Sequence, residues 1–411
     1  MGLGVVVAFL ALAPGTASAQ PIACGQTITR DTTLHADLGP CSGDGLVIGA
    51  ENVTLDLNEH AIIGDNTDTQ GGDVGVLDDG HGGIVVEGGR IGGFSTSIKL
   101  DSADSSQVTD ITETACCLGR FGFVVSGSHN SIVRNVAHSR GFNVSGRHNT
   151  ISDNATLADE MSTVLVHGSR NRITHNEINE GEGVPLGLVS VEGARNLIAR
   201  NTLGDIDNGT SVVGPGNVIR NNVVGIGPSA SITGGLRVAD CRNDRIEENI
   251  VYNGLGLSGC RMARVEDNTV GGGAIGVGFG SDNLIEHNDV SDTEWYGITV
   301  GGGSDNAIEQ NTVSATEFSG ILVGPFSGTG HSVGTTVEGN LVTRAGFGGA
   351  GNQRSDGIQV DDPGTVVADN TANDNADYGI QAVPEVIDGG GNTASGNGNP
   401  LQCLNVVCNT N

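Results

Sequence analysis

HNSIVRN (129–135), HNTISDN (148–154), RNRITHN (170–176), RNLIARN (195–201), DNLIEHN (282–288) and DNAIEQN (305–311) share one frame: Asn, one residue, Ile, two residues, Asn. Looser copies are GNVIRNN (216–222), DRIEEN (244–249), ARVEDN (263–268), TTVEGN (335–340) and TVVADN (365–370). The closing asparagines, from Asn135 to Asn370, are separated by 19 to 30 residues. A period of that length, in short β-branched runs broken by Gly and Asn, fits one turn of a three-sided β-solenoid. A second strand signal of the type Gly-Ile-x-Val recurs in GLRV (235–238), GITV (297–300), GILV (320–323), GIQV (357–360) and GIQA (379–382). Alternation along a strand sends its first and third apolar residues inward and the middle one outward. The repeated Asn reads as a turn residue that tolerates left-handed backbone angles and bonds through its amide to copies above and below.

Working outward, VTLDLN (53–58), IVVEGG (84–89) and QVTDI (107–111) suggest earlier coils, and VIDGGGN (386–392) a last one. The expected fold is all-β: a single-stranded right-handed parallel β-helix of about 15 coils, a rod roughly 70 Å long. Its divisions are a signal peptide (1–19), an N-terminal disulfide-bonded cap (20–50), the repeats (51–396) and a disulfide-stapled tail (397–411). The apolar run Val5–Ala13 followed by Ala17-Ser18-Ala19 carries the export reading, which makes the mature protein secreted, extracellular or periplasmic, with no membrane span.

Composition fits a narrow core. Gly is 68 of 411 residues and aromatics are 3%, with Trp295 the one tryptophan. The formal charge of −29 disfavours nucleic acid and anionic membranes as partners. It suits neutral sugars or cations better than polyanions, unless a metal bridges the charges. The eight cysteines fit an oxidising compartment. Cys24–Cys41 and Cys403–Cys408 would staple the ends. Cys241 and Cys260 follow Val238 and Leu257 by three residues each, so stacking about 4.8 Å apart places them within disulfide reach. Cys116 and Cys117 are adjacent, and could form only a vicinal bond or remain thiols.

The segment GLVIGAENVTLDLNEHAIIG (45–64) with its following repeats resembles the secreted bacterial parallel β-helix repeat proteins. That grouping takes in NosD-like periplasmic proteins, pectate-lyase-like enzymes and mannuronan C5-epimerase-like domains, and the ending NPLQCLNVVC (399–408) is similar to tails found among them. The resemblance implies the fold and a polysaccharide partner. The enzymatic motifs of the grouping are mostly missing. Asp361-Asp362-Pro363-Gly364 lacks the His of an epimerase Asp-Pro-His motif. Asn66-Thr67-Asp68, Asp78-Asp79 and Gly80-His81-Gly82 are crowded too closely to occupy neighbouring coils of a hydrolase groove.

One patch stands out from the repeat. Aligning coils on Gly297, Gly320, Gly357 and Gly379 stacks Glu294, Glu317 and Arg354. It then stacks Trp295, Phe318, Ser355 and Asp377, then Tyr296, Ser319, Asp356 and Tyr378, with Thr299, Leu322, Gln359 and Gln381 pointing outward. Aromatic faces beside carboxylates and an Arg suit sugar recognition. The expected contacts to substrate are Trp295, Tyr296, Phe318, Gln359 and Tyr378. For a lyase- or epimerase-type reaction the catalytic candidates are Arg354, Asp356, Glu294 and Glu317, with Asp361 and Asp362 as Ca²⁺ ligands. The alternative is a non-catalytic surface protein whose rod shape is its function. A monomer is expected, with His60, Asp56 and Lys99 in structural or solvated roles.

Overall fold

The computed structural model describes residues 21–66, 72–114, 121–138, 141–158, 163–180, 188–204, 209–225, 235–326, 328–348 and 355–409. The proposed signal peptide, Cys116, Cys117 and Arg354 lie outside them.

Each Asn-x-Ile frame forms a three-residue strand, and these strands pair in parallel with their copies one coil away, as Ser131–Val133 does with Thr150–Ser152. The central Ile or Val of the frame points inward, so Ile132, Ile151, Ile198, Ile246, Ile308 and Val367 form a buried column. A second strand follows the closing Asn. The Gly-Ile-x-Val segments build a third wall, a parallel sheet of 17 strands. Phe123 and Phe142 stack within it, ring centroids 4.9 Å apart. The molecule is the all-β solenoid the repeat predicts. Its strands begin at Gln26–Ile28, so the segment expected as a cap carries the first coil itself. In the tail, Cys403–Leu404 pairs with Ile380–Ala382 and continues the same sheet.

The closing asparagines form an unbroken ladder of twelve, from Asn135 to Asn392. Each backbone N–H donates to the Oδ1 of the next Asn at 2.9–3.1 Å. Each Nδ2 also donates to a strand carbonyl one coil back, as Asn201 does to Ile173 at 2.8 Å. This satisfies amides that no water reaches. The left-handed angle belongs not to the Asn but to the residue before it: Arg134 (φ 56°), Asp153 (57°), His175 (58°) and Arg200 (58°). The side chains that sit there are polar and exposed, and a non-glycine residue at such an angle carries a modest backbone cost. The opening asparagines form a second ladder, Asn130, Asn149, Asn171, Asn196 and Asn217, each backbone N–H bonded to the next Oδ1 at 2.8–2.9 Å up to Asn196.

The next rung is Asp244, whose Oδ1 accepts the Gly216 N–H at 2.6 Å. Its Oδ2 is buried without a partner, and burial pushes the carboxyl up to about 6. After it comes Ala263, aligned by the pairing of Arg245 with Arg264, and it offers no side-chain acceptor. Cys241–Cys260 bridges these same two coils with a Cα–Cα distance of 4.4 Å. Cys24–Cys41 and Cys403–Cys408 span 5.5 and 6.1 Å.

Candidate functional site

The site sits at a corner where the chain enters the 17-stranded sheet. Its register is fixed by Ile298, Ile321, Ile358 and Ile380, which pair in succession. That register stacks Tyr296, Ser319, Asp356 and Tyr378 in one column and Trp295, Phe318, Ser355 and Asp377 in the next. Backbone bonds hold the column, with Phe318 N–H donating to Trp295 O at 3.0 Å and Asp377 N–H to Ser355 O at 3.1 Å. Phe318 lies 5.4 Å from both Trp295 and Tyr296, tilted to each, and makes a three-ring cluster. Trp295 is half exposed, so the cluster offers an aromatic face to solvent. Glu294 is exposed and Glu317 half-buried, one coil apart beside the rings.

Asp356 lies one residue before the strand's Gly, at the bottom of the corner, and is 1% exposed. Its Oδ1 accepts the Tyr378 N–H at 3.1 Å, and its own N–H donates to Ser319 Oγ at 3.2 Å. Its Oδ2 has no partner. Burial pushes this carboxyl up to about 7; the Tyr378 N–H opposes the shift, and repulsion from Asp377 and Asp361 adds to it. A carboxyl in that range exchanges its proton at neutral pH.

Alternation predicts that Thr299, Leu322 and Gln359 face solvent, but they are 3%, 0% and 6% exposed. A long connection folds back over the outside of the sheet. Thr329 Oγ1 and Phe326 approach Gly301 so closely that a Cβ there would stand 2.5 and 3.1 Å from them. Leu322 is thus buried on the outer side of its strand. Gln359 donates through Nε2 to both oxygens of Asp361, at 3.0 and 3.1 Å, and its Oε1 accepts the Ser319 hydroxyl at 3.1 Å. Gln381, one coil on, is only half-buried.

Asp362 is fully buried and turned away from Asp361. It accepts the Ser332 N–H at 2.7 Å, bonds the Ser332 hydroxyl and pairs with His331, so it clamps the folded-back connection. The two adjacent carboxylates expected to share a Ca²⁺ ion do not converge. Among the described residues no group of three or more His, Cys, Asp and Glu is arranged to hold a metal ion.

The structure thus brings together Trp295, Tyr296 and Phe318, and separately Ser319, Asp356, Gln359, Asp361 and the Tyr378 backbone. Ser319, which bonds both Asp356 and Gln359, is the residue sequence reasoning passed over. Its signal was its place in the column between two tyrosines. Elsewhere, Asp78 is buried and bonds His81 through the ring Nδ1 (2.8 Å) and the backbone (3.1 Å), a closed turn that fills its own acceptors. His60 contacts Asp37 at 3.3 Å rather than Asp56, and Lys99 pairs with Asp101 at 3.1 Å.

Solved structures with a similar course include the mannuronan C-5 epimerase AlgE6 A-module of Azotobacter vinelandii. It is 13% identical, with 94% of this chain and 91% of that one covered at a TM-score of 0.26. The periplasmic alginate epimerase AlgG is 14% identical over 80% of this chain and 77% of its own, TM-score 0.31. The tailspike protein of the E. coli bacteriophage HK620, solved in complex with a pentasaccharide, is 10% identical over 94% and 74%, TM-score 0.28. No curated protein matches the sequence. Among the described residues no helix is long and apolar enough to cross a membrane. Residues 229–397 match the family described as right handed beta helix region, and the parallel β-solenoid of the described residues is the fold that description names.

Proposed function

We propose that the protein is exported and recognises an extracellular polysaccharide at the corner formed by coils 294–378, with Asp356 as its proton-exchanging group. The observation that carries the reading is a buried carboxyl with one unpartnered oxygen, set beside a half-exposed aromatic cluster. The rings would stack on sugar C–H faces, while Glu294, Glu317 and Tyr378 bond hydroxyls. In a lyase- or epimerase-type step, ionised Asp356 would take the proton at C5 of a uronate once a shift of the corner uncovers its buried free oxygen. Arg354, two residues before it in the sequence, is the cation proposed to neutralise the uronate. A Ca²⁺ ion on Asp361 and Asp362 does not fit, because Asp362 already serves Ser332 and His331, and no step is drawn through it.

A second reading, a non-catalytic rod, draws on the covered outer face at Thr299, Leu322 and Gln359. A glycan array followed by a lyase and epimerase assay separates the two. The first reading expects Trp295→Ala to weaken binding by about tenfold. It expects Asp356→Asn to bind as the wild type does while losing turnover. Absence of binding to every uronate and neutral glycan sinks it; binding without turnover leaves the recognition and removes the chemistry.

A further inference from the structure

The Asn-x-Ile strands form a flat outer face in continuous register over ten coils, from Ser131–Val133 to Thr336–Glu338. Charge along it changes from mainly basic to mainly acidic, with Asp153 the exception in the first half and Arg245 and Arg264 those in the second. In the last outward strand position, Arg220 is followed by Glu247, Glu266, Glu286, Glu309 and Glu338, each paired in register with the next. At the left-handed turn before the opening Asn, His148, Arg170 and Arg195 in the first half give way to Asp282 and Asp305 in the second. At the turn before the closing Asn, Arg200 gives way to Asp267. The reversals at the last strand position and at the closing turn centre between coil 216–222 and coil 243–249, and the opening-turn reversal, from Arg195 to Asp282, centres on the coil of Asn243.

We infer that this face is the interface of a homodimer with antiparallel rods, its two-fold axis lying across the face between coils 216–222 and 243–249. A two-fold there is isologous. It sets Arg220 against Glu247 of the second copy, Arg200 against Asp267, Arg170 against Asp282 and His148 against Asp305, each contact made twice. Opposite Glu266, Glu286 and Glu309 stand Ala199, Thr174 and Ser152, short uncharged side chains buried within their own chain that bring no like charge to the contact. Both copies carry the same rise per coil, so the contacts stay in step along the face. All these charged groups are exposed or half-exposed, and among the described residues none of Arg170, Arg200 and Arg220 is in an ion pair. Arg245 and Arg264, the cations of the acidic half, are already held by Glu247, Glu266 and Glu286 of their own chain.

Ten coils give a face about 45 Å long, and with a strand and its two turns across it roughly 800 Å² per copy, the size of a standard interface. An extended polyanion fits less well, since after four or five coils it would run onto the five stacked glutamates. Residues 129–264 hold 13 of the 19 Lys and Arg and an equal number of Asp and Glu, and 265–338, the acidic end of the face, adds 11 Asp and Glu with no Lys or Arg, so the other −18 resides on the flanks. At physiological ionic strength those flanks are screened beyond about 8 Å, while contact pairs are screened less.

Sedimentation velocity of the full chain at physiological ionic strength tests this, with the expected mass twice that of one chain. Arg170→Glu with Arg200→Glu makes the first half of the face far more acidic, and Asp267→Arg with Asp282→Arg makes the second half far more basic. Each variant alone should dissociate roughly a hundredfold more readily, and an equimolar mixture should restore the dimer. The mixture also guards against misfolding, because a variant that had lost its fold would not be rescued. A wild type that stays monomeric at every concentration overturns the inference. So do variants that dimerise as the wild type does, or a monomeric wild type that captures polygalacturonate on this face.

Discussion

Replacing Asp244 by Asn should stabilise the protein, and increasingly so as pH rises. The position is a rung of the opening-Asn ladder. In the rung before it, Asn217 donates through Nδ2 to the carbonyls of Gly193 at 3.0 Å and Gly214 at 2.7 Å. Asp244 has an oxygen where that donor belongs, and its Oδ2 is buried without a partner. Burial therefore favours the protonated form, with the folded carboxyl at about 6 against an ordinary 3.8. The folded chain holds this proton more tightly than the unfolded chain. The contribution to stability is complete below the unfolded value and is lost as pH rises through 6. The loss is about 2 to 3 kcal/mol by pH 8, or about 2 to 4 °C in Tm for a chain of this size. Asn carries the donor at every pH. Calorimetric Tm of wild type and Asp244→Asn should nearly coincide at pH 4 and separate by that amount at pH 8. The difference between the two proteins cancels the titration of every other group. A gap that does not change with pH, or a variant less stable than wild type throughout, would refute the account of the ladder as well as of this residue.

Other expectations follow from the same structure. Asn201→Ala removes the acceptor of the Asn176 N–H and Nδ2 and the donor to Ile173 and Asn222; a loss of about 2 to 4 kcal/mol in urea unfolding is expected, because partners are left buried and unpaired. Leu322→Ala should cost about 2 to 4 kcal/mol by the same measurement, although its strand position is an outward one; a cost near zero would mean the folded-back connection does not cover it. Removing Cys241–Cys260 by paired Ser substitution opens a loop with a sequence separation of 19 and should cost about 3 kcal/mol, read as the difference in urea unfolding between variant and wild type under oxidising conditions.

The coil register was legible because the closing Asn must recur wherever a buried amide has to meet its copy, and Ile must recur two residues into each frame. Cys241–Cys260 followed from that register alone. The left-handed residue was misplaced by one position, since Asn is the favoured type for such angles and the ladder role hides which residue turns. The first coil reads as a cap in the sequence because Leu34, Leu38 and Leu46 fill its core without any Asn signature. In the candidate site, the columns of Trp295, Phe318 and Asp356 came from alignment on Gly. The burial of Leu322 and Gln359 did not, because alternation describes a strand and its own wall, not a distant connection folding over it. Nor does sequence distinguish Asp361 from Asp362. Only the return of Ser332 onto one of them sends the neighbouring carboxylates to different partners.

The gap in the opening ladder has a mechanical side. A solenoid frays from its ends, one coil at a time, each lost coil exposing the next as a fresh edge. Such a tear would run most easily where a rung is missing, between Asp244 and Ala263. Those are the two coils that Cys241–Cys260 ties. The covalent bond acts there as a rip-stop: fraying that enters from the C-terminal end meets its only lateral stitch between the terminal ones, among the described residues, at the seam with the weakest weave. Under reducing conditions the same seam becomes the place where the rod would part.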